Sequence, residues 1–267
     1  MKDGRVTLLG VRGTSPVCGA NYVKYGGASS AVQVRLGGKI IVLDAGSGLL
    51  NLKLEPDEKE LYILISHSHL DHICGIPPQP IFYDKSYNIS LYSKERGGLD
   101  TKAQIHTVMA KNLWPVDENA FNANVKYCDI NDGDFYIGDV KVRHIEGNHP
   151  GGCTIFRLEY NGKSVVFATD IEQTEESSRE LIEFAKGCEL LIIDGQYSAE
   201  KAAKLRGFGH MSREAAAQIG KACKAAHTVL THHDTCADDD ELLRAENDIK
   251  ARFSHCSLAH CGEEFTL

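Results

Sequence analysis

The sequence predicts an α/β protein whose strands and helices form two mixed halves of one domain over residues 1–267. Three observations lead there. Short apolar runs such as Lys39 to Leu43, Leu61 to Ile65 and Leu190 to Ile193 are bounded by turn residues and have the length of buried strands. Gly37-Gly38 and Asn161-Gly162 each join two apolar segments, as hairpin turns do, because tight primed turns need residues that accept positive φ. From Ser178 onward, capped helical segments alternate with buried runs, the pattern of α/β units.

In order, Arg5 to Leu9 reads as the first strand. Gly13 to Gly27, broken by Pro16, Gly19 and Gly26, reads as a loop across the top of the domain. Ala31 to Leu36 alternates and pairs with Lys39 to Leu43, which runs into Asp44-Ala45-Gly46-Ser47-Gly48. A short helix over Leu49 to Leu54 precedes the strand Leu61 to Ile65. The segment Ile76-Pro77-Pro78-Gln79-Pro80 must stop any helix begun at Asp71, since proline lacks the N–H a helix interior requires. Ile89 to Tyr92 reads as a strand and Thr101 to Leu113 as a helix closed by Pro115. Val125 to Cys128, Asp134 to Ile137 and Val140 to Ile145 are short strands, the last two joined at Gly138-Asp139. Thr154 to Tyr160 pairs with Lys163 to Ala168 through Asn161-Gly162. Helices follow over Ser178 to Lys186, Ser212 to Lys224 and Asp239 to Arg252, separated by the strands Leu190 to Ile193 and His227 to Thr231. Ser212 caps its helix and Glu214 stands in the first turn, where an acidic side chain suits the helix dipole.

The totals exclude several classes. With 42% hydrophobic and 25% charged residues the chain has ordinary globular composition, and no run of apolar residues is long enough to span a membrane. Met1 to Arg5 lead into a strand without an apolar signal region, so a cytoplasmic location is expected. Nine cysteines without a C-x-x-C pair indicate neither a disulfide framework nor a zinc ribbon. A formal charge of -8 leaves no general basic footprint for nucleic acid.

The chemistry gathers at strand ends. Ser66-His67-Ser68-His69-Leu70-Asp71-His72 follows the run Leu61 to Ile65, delivering three imidazoles and a carboxylate together. Imidazole nitrogen and carboxylate oxygen suit zinc, manganese or iron, and alternation places His67 and His69 on one side of an extended segment. Asp44, His149, Asp170, Asp194 and His232 likewise stand at or just beyond the carboxyl ends of strands, where open sheets place their sites. Each alone has a plainer explanation as a cap, a loop residue or a core histidine. His233 is set behind His232 because neighbouring side chains at a strand end point to opposite sides.

Taken together, HSHLDH (67–72), NHPGG (148–152), FATD (167–170) and LTHHD (230–234) resemble the metallo-β-lactamase superfamily over roughly residues 5–252, and Asp44 to Gly48 is similar to its early aspartate segment. The resemblance implies a four-layer αβ/βα sandwich, with two mixed central sheets flanked by helices and a dinuclear site at their edge. Carried onto this chain, it has His67, His69 and His149 holding one metal, Asp71, His72 and His232 the second, and Asp170 bridging them. The cofactors implied are two divalent ions, zinc ahead of manganese or iron. Such a pair, about 3.5–4 Å apart, can share a water, lower its pKa towards neutrality and clamp charge developing on a substrate oxygen.

Three departures narrow the chemistry. The ligand set lacks the cysteine of many lactam-cleaving members. Leu190 to Tyr197 followed by Gly209-His210-Met211-Ser212 is similar to the tRNase Z-like branch, which implies that Asp194 orients His210 and that His210 donates a proton to the leaving oxygen. The interval between Asp170 and His210 holds a helix, a strand and the basic segment Lys201 to Arg206, but no Gly/Pro-rich arm to grip tRNA. The expectation is a hydrolase of small or cyclic nucleotide-type phosphodiesters, acting through attack of a bridging hydroxide, with Asp71, Asp194 and His210 as catalytic residues. A thioester or other acyl hydrolase and a non-catalytic metal-holding sensor are the competing readings, and tRNA 3′ processing ranks lower. The family's habits imply a homodimer, while the lack of a long apolar run and the acidic charge lead to the expectation of no membrane partner and no long nucleic acid. Trp114, His106 and the Gly13 to Gly27 loop are expected to overhang the site. The tail with His255-Cys256 and His260-Cys261 matches no standard zinc spacing.

Overall fold

The computed structural model describes residues 4–267; Met1 to Asp3, read above as leading into the first strand, lie outside them. One group of strands comprises β1 (Arg5–Gly10), β2 (Ala31–Leu36), β3 (Lys39–Leu43), β4 (Glu60–Ile65), β5 (Asn88–Ser93) and β6 (Asn124–Asp129). A second comprises β7 (Phe135–Ile137), β8 (Val140–Gly147), β9 (Cys153–Tyr160), β10 (Lys163–Ala168), β11 (Leu190–Asp194) and β12 (His227–Thr231). The C-terminal tail adds β13 (Cys256–Leu258) and β14 (Glu264–Thr266). The helices are α1 (Leu70–Ile73), α2 (Thr101–Val108), α3 (Glu175–Phe184), α4 (Ala199–Lys204), α5 (Arg213–Cys223) and α6 (Asp239–Arg252).

The strands form two seven-stranded sheets, ordered β14-β1-β2-β3-β4-β5-β6 and β13-β12-β11-β10-β9-β8-β7. Each sheet is antiparallel on one flank and parallel on the other. In the first, β3, β4, β5 and β6 run parallel; in the second, β10, β11, β12 and β13 do. The two pack face to face through Leu8, Val34, Ile41 and Leu64 on one side and Phe156, Leu158, Phe167 and Ile192 on the other. Strand alternation then decides the outer layers. Val165 and Phe167 face the partner sheet, whereas Val166 and Ala168 face out and are covered by Leu181 of α3 and Ala216 and Ile219 of α5. On the far side of the first sheet, Val42, Ile63, Ile65 and Leu91 are covered by Ile73 of α1 and Ile105 of α2. The result is the four-layer αβ/βα sandwich.

Several elements differ from the sequence reading. Helix α3 begins at Glu175 rather than Ser178, because Thr174 and Ser177 form a capping box with serine in place of the usual Glu or Gln. Helix α2 stops at Val108 instead of Leu113; Leu113 and Trp114 N–H both turn back to Ala110 O ahead of Pro115. Leu49 to Leu54 is a tight 3-10 turn over Ser47–Asn51, and the basic segment Lys201 to Arg206 lies largely in α4. The Cys/His tail is structural: β13 pairs with β12 in one sheet and β14 with β1 in the other. Among the described residues no helix is long and apolar enough to cross a membrane.

Candidate metal centre

At the site end of the sandwich the two sheets are tied by backbone bonds, Thr154 N–H to Ser66 O at 2.9 Å and His233 N–H to Val11 O at 2.8 Å. That closure brings the strand-end residues together. After β4 the extended residues Ser66 to His69 present His67 and His69 as neighbours, with ring centroids 4.4 Å apart, and α1 then turns Asp71 and His72 inward. His149 enters from the β8–β9 turn. Asp170 and His232 follow β10 and β12, and Asp194 is the last residue of β11. Asp44, Asp170 and His232 have φ of 60, 59 and 62, the left-handed region that costs a non-glycine residue on the order of 1–3 kcal/mol. Three strained strand ends converge on one site.

Two groups of ligand atoms share one carboxylate. In the first, His67 Nε2 lies 2.9 Å from His69 Nδ1, which lies 3.1 Å from His149 Nε2. In the second, Asp71 Oδ2 stands 3.2 Å from both His72 Nε2 and His232 Nε2. Asp170 lies between: Oδ1 is 3.9 and 3.7 Å from His67 and His149 Nε2, and Oδ2 is 3.2 Å from His72 and His232 Nε2. Ligands about 2.0–2.1 Å from a tetrahedral ion stand about 3.3 Å apart, close to these separations. Two of these atoms also lack other partners. His72 Nε2 and Asp170 Oδ2 are shut off from solvent and make no hydrogen bond, a costly state for buried polar atoms unless a cation sits among them. The site fits divalent metal.

The opposite ring nitrogens are held in ways that aim these atoms. Asp44, fully buried, takes a 2.6 Å bond from His72 Nδ1 and further bonds from Ser66 N–H, Ser66 Oγ and Ser30 Oγ. His67 Nδ1 lies 3.1 Å from Ser66 Oγ, and His149 Nδ1 donates to Gly209 O at 3.0 Å. Thr14 N–H donates to Asp71 Oδ2 at 2.8 Å. Gly13 packs against the back of His232, where a Cβ would come within 2.3 Å of Nδ1.

Charge divides the groups. Burial pushes His67, His69 and His149 below the ordinary imidazole range, leaving them neutral and ready to ligate. Burial also opposes charge on His72 and His232, but there the surrounding carboxylates prevail. Asp71, Asp170 and Asp44 hold His72 well above its usual value, and Asp170, Asp71 and Asp194 raise His232 to about 9. Against the cost of burial, the same histidines hold Asp71 and Asp170 well below the carboxylate range.

Beside this cluster His210 Nδ1 donates to Asp194 Oδ2 at 2.8 Å and lies 3.9 Å from Asp170 Oδ1. Asp194 is wholly buried and also accepts from the N–H groups of Asp170, Gln196 and Met211. A cavity of about 530 Å³ opens over the group, lined by Thr14, His69, His149, Asp170, His210 and His232 and walled by Tyr197, Lys201, Leu205 and Phe208. Lys201 pairs with Asp234 at its rim.

All nine residues singled out as ligands or catalytic groups thus stand within one constellation. His233 does not: it is buried and bonds Ala259 O at 2.9 Å. Trp114 packs on the outer face of the first sheet and His106 pairs with Glu118, so neither overhangs the cavity; the wall comes instead from α4 and the turn after it. Thr14 and Ser66 escaped sequence reasoning. They act through backbone or hydroxyl groups, which no ligand pattern signals.

Comparison with known proteins agrees with this fold. The family described as "Beta-lactamase superfamily domain" matches residues 39–233. The "Probable metallo-hydrolase YhfI" of Bacillus subtilis is 24% identical over 236 residues, covering 85% of this chain and 86% of its own. The crystal structure of YhfI aligns with a TM-score of 0.73 over 98% of both chains at 22% identity. Ribonuclease Z of Bradyrhizobium diazoefficiens is 23% identical over 295 residues, 89% of this chain and 92% of that one. The crystal structure of a diphosphatase from the PhnP family has a TM-score of 0.68 at 17% identity, over 98% of this chain and 96% of the other.

Proposed function

The chain belongs to the beta-lactamase superfamily, and from that premise we propose that it is a metal-dependent hydrolase of small phosphodiesters. The observation that carries the substrate class is the Asp194–His210 pair, 2.8 Å across, beside the doubly faced carboxylate of Asp170. Asp194 fixes the proton on Nδ1. Among the described residues His210 Nε2 has no hydrogen-bond partner, and it is not shut off from solvent, so it is free to hold a proton for a departing alkoxide. A thiol or stabilised acyl leaving group has less need of such an acid.

In this reading His67, His69 and His149 hold one ion and Asp71, His72 and His232 a second, with Asp170 shared. The two oxygens of Asp170, each turned to a different trio, support two ions rather than one. When bound, a divalent pair supplies Lewis acidity and an acidified water. The protein's own residues do the rest. Asp44 and Gly209 O set the ring orientations, the neutral first trio contributes no charge, and Asp170 and Asp71 offset that of the ions.

The cavity's about 530 Å³ suits a small ligand, and exposed Phe208 and Leu70 at its rim offer an apolar surface to a nucleobase. Relatives named ribonuclease Z and a diphosphatase of similar fold support phosphorus–oxygen bond cleavage as the reaction class. The interval from Asp170 to His210 holds α3, β11 and α4 without a protruding arm, which favours small diesters over tRNA. We also read residues 1–267 as one domain, since β13 and β14 complete both sheets. Free thiols at every cysteine fit the cytoplasm.

The test is hydrolysis of bis(p-nitrophenyl) phosphate and a panel of cyclic nucleotides by zinc- and manganese-loaded protein, with a precursor tRNA alongside. Inactivity on every diester sinks the proposal. Cleavage of the tRNA alone would move the substrate to long nucleic acid.

A further inference from the structure

Glu172 offers no ligand atom, yet it joins three segments of the site. Its backbone N–H donates to Asn148 O at 2.8 Å, and Asn148 Nδ2 bonds Glu172 O at 3.1 Å, tying it to the residue before His149. Asp170 stands two residues upstream. The carboxylate reaches across to the turn that delivers His210: Gly207 N–H lies 2.8 Å from both oxygens and Gly209 N–H 3.0 Å from Oε2. On its other side the same turn is held by His149 Nδ1 through Gly209 O.

Physical chemistry says that this turn needs an anchor. Gly207 and Gly209 have φ of 87 and 85, a conformation natural to glycine, and glycine loses the most conformational freedom when fixed. Hydrogen bonds to an ionised acceptor are roughly twice as strong as neutral ones, so a carboxylate collecting both amides can hold such a turn where a neutral contact would not. His210 follows directly, and among the described residues its only side-chain hydrogen-bond partner is Asp194.

We infer that Glu172 is a positioning residue for His210, locking the Gly207 to Gly209 turn so that the imidazole stays on Asp194 and faces the cavity. The inference rests on reading His210 as the proton donor. A displacement of about 1 Å can cost a catalytic group on the order of 100-fold, so a slack turn should weaken proton donation without touching the ligands.

The test compares metal-loaded wild type, Glu172→Ala, Glu172→Gln, His210→Ala and the Glu172→Ala/His210→Ala double variant. In isotope-labelled protein the His210 Nδ1–H signal, sharp in wild type, should broaden or vanish in Glu172→Ala and partly survive in Glu172→Gln, which keeps one acceptor oxygen. On an alkyl diester, whose leaving group needs a proton, Glu172→Ala should lose about 10-fold in kcat, and on bis(p-nitrophenyl) phosphate less than about 3-fold. In the His210→Ala background its removal should cost nothing further. An unchanged His210 signal, equal losses on both substrates, or an additive loss in the double variant overturns the inference. If His210→Ala itself shows no leaving-group dependence while the signal still requires Glu172, the proton-donor reading fails and the positioning role stands. Should Glu172→Ala not fold, the near-isosteric Glu172→Gln carries the comparison.

Discussion

Asp44 and His72, both wholly buried, share a 2.6 Å hydrogen bond from imidazole Nδ1 to carboxylate Oδ2. That bond keeps one proton on Nδ1, so it is the Nε2 proton of the charged ring that leaves when a metal binds, and Nε2 then faces Asp71 and Asp170 as the lone pair a metal requires. Asp44→Ala should therefore lower affinity at the Asp71, His72 and His232 position by about 10–100-fold. It also strands the Ser66 and Ser30 donors, so the metal-free protein should lose on the order of 1–3 kcal/mol. Chelator competition and denaturant unfolding read the two effects separately. Unchanged metal affinity would remove Asp44 from this role.

Gly13 is expected to tolerate no side chain. Its φ is not in the left-handed region, so the obstacle is space alone: a Cβ would stand 2.3 Å from His232 Nδ1. Gly13→Ala should push the ring off Asp71 and Asp170, reducing bound metal towards one ion per chain, while a valine at 13 should be worse. Metal content by elemental analysis after dialysis decides it; two ions retained at wild-type affinity would show that the loop yields instead.

The pH dependence follows from the charge on His232. In metal-free protein its pKa is raised to about 9, above the about 6.5 of an unfolded imidazole. Its stabilisation is thus fully present below about 6.5 and is lost as pH rises through about 9. A metal must displace that proton and the one held on His72, so apparent affinity at the second position should climb as pH rises from neutral. The first trio, neutral through burial, should show little such dependence near pH 7. Calorimetric titrations at pH 7 in buffers of different ionisation heat measure the released protons; buffer-independent heats would contradict this charge state.

The fold and the constellation were largely legible because each signal was local. Strand Leu61 to Ile65 announces itself as an apolar run, and His67 to His72 bring four candidate ligands within six positions. The residues far apart in sequence, His149, Asp170 and His232, stood out by their recurrence at strand ends and took their roles as candidate ligands only from the resemblance to the family. What escaped depended on contacts between distant segments. Thr14 meets Asp71 through a backbone N–H across 57 residues, and Glu172 meets Gly207 across 35. The start of α3 was misread for a different reason, since Thr174 and Ser177 cap it without the acidic residue that usually marks such a box. The wall of the cavity was misplaced because aromatic content drew attention to Trp114, whereas α4 reaches the site only through the return of β11.

Asp194 makes the last expectation, because it serves His210 and the cluster at once. Its Oδ2 takes the His210 Nδ1 proton at 2.8 Å and lies 3.7 Å from His232 Nδ1, which has no hydrogen-bond partner of its own. Asp194→Asn keeps the shape but can present an amide to His210, favouring the tautomer with its proton on Nε2 and weakening its power to hold charge. The loss in kcat should be about 10²–10⁴-fold on an alkyl diester and much smaller on a p-nitrophenyl ester, with both ions still bound. His210→Ala should match it. If Asp194→Asn instead empties the metal site, Asp194 belongs to the support of His232; if both variants keep full activity on the alkyl diester, neither residue takes part in proton donation.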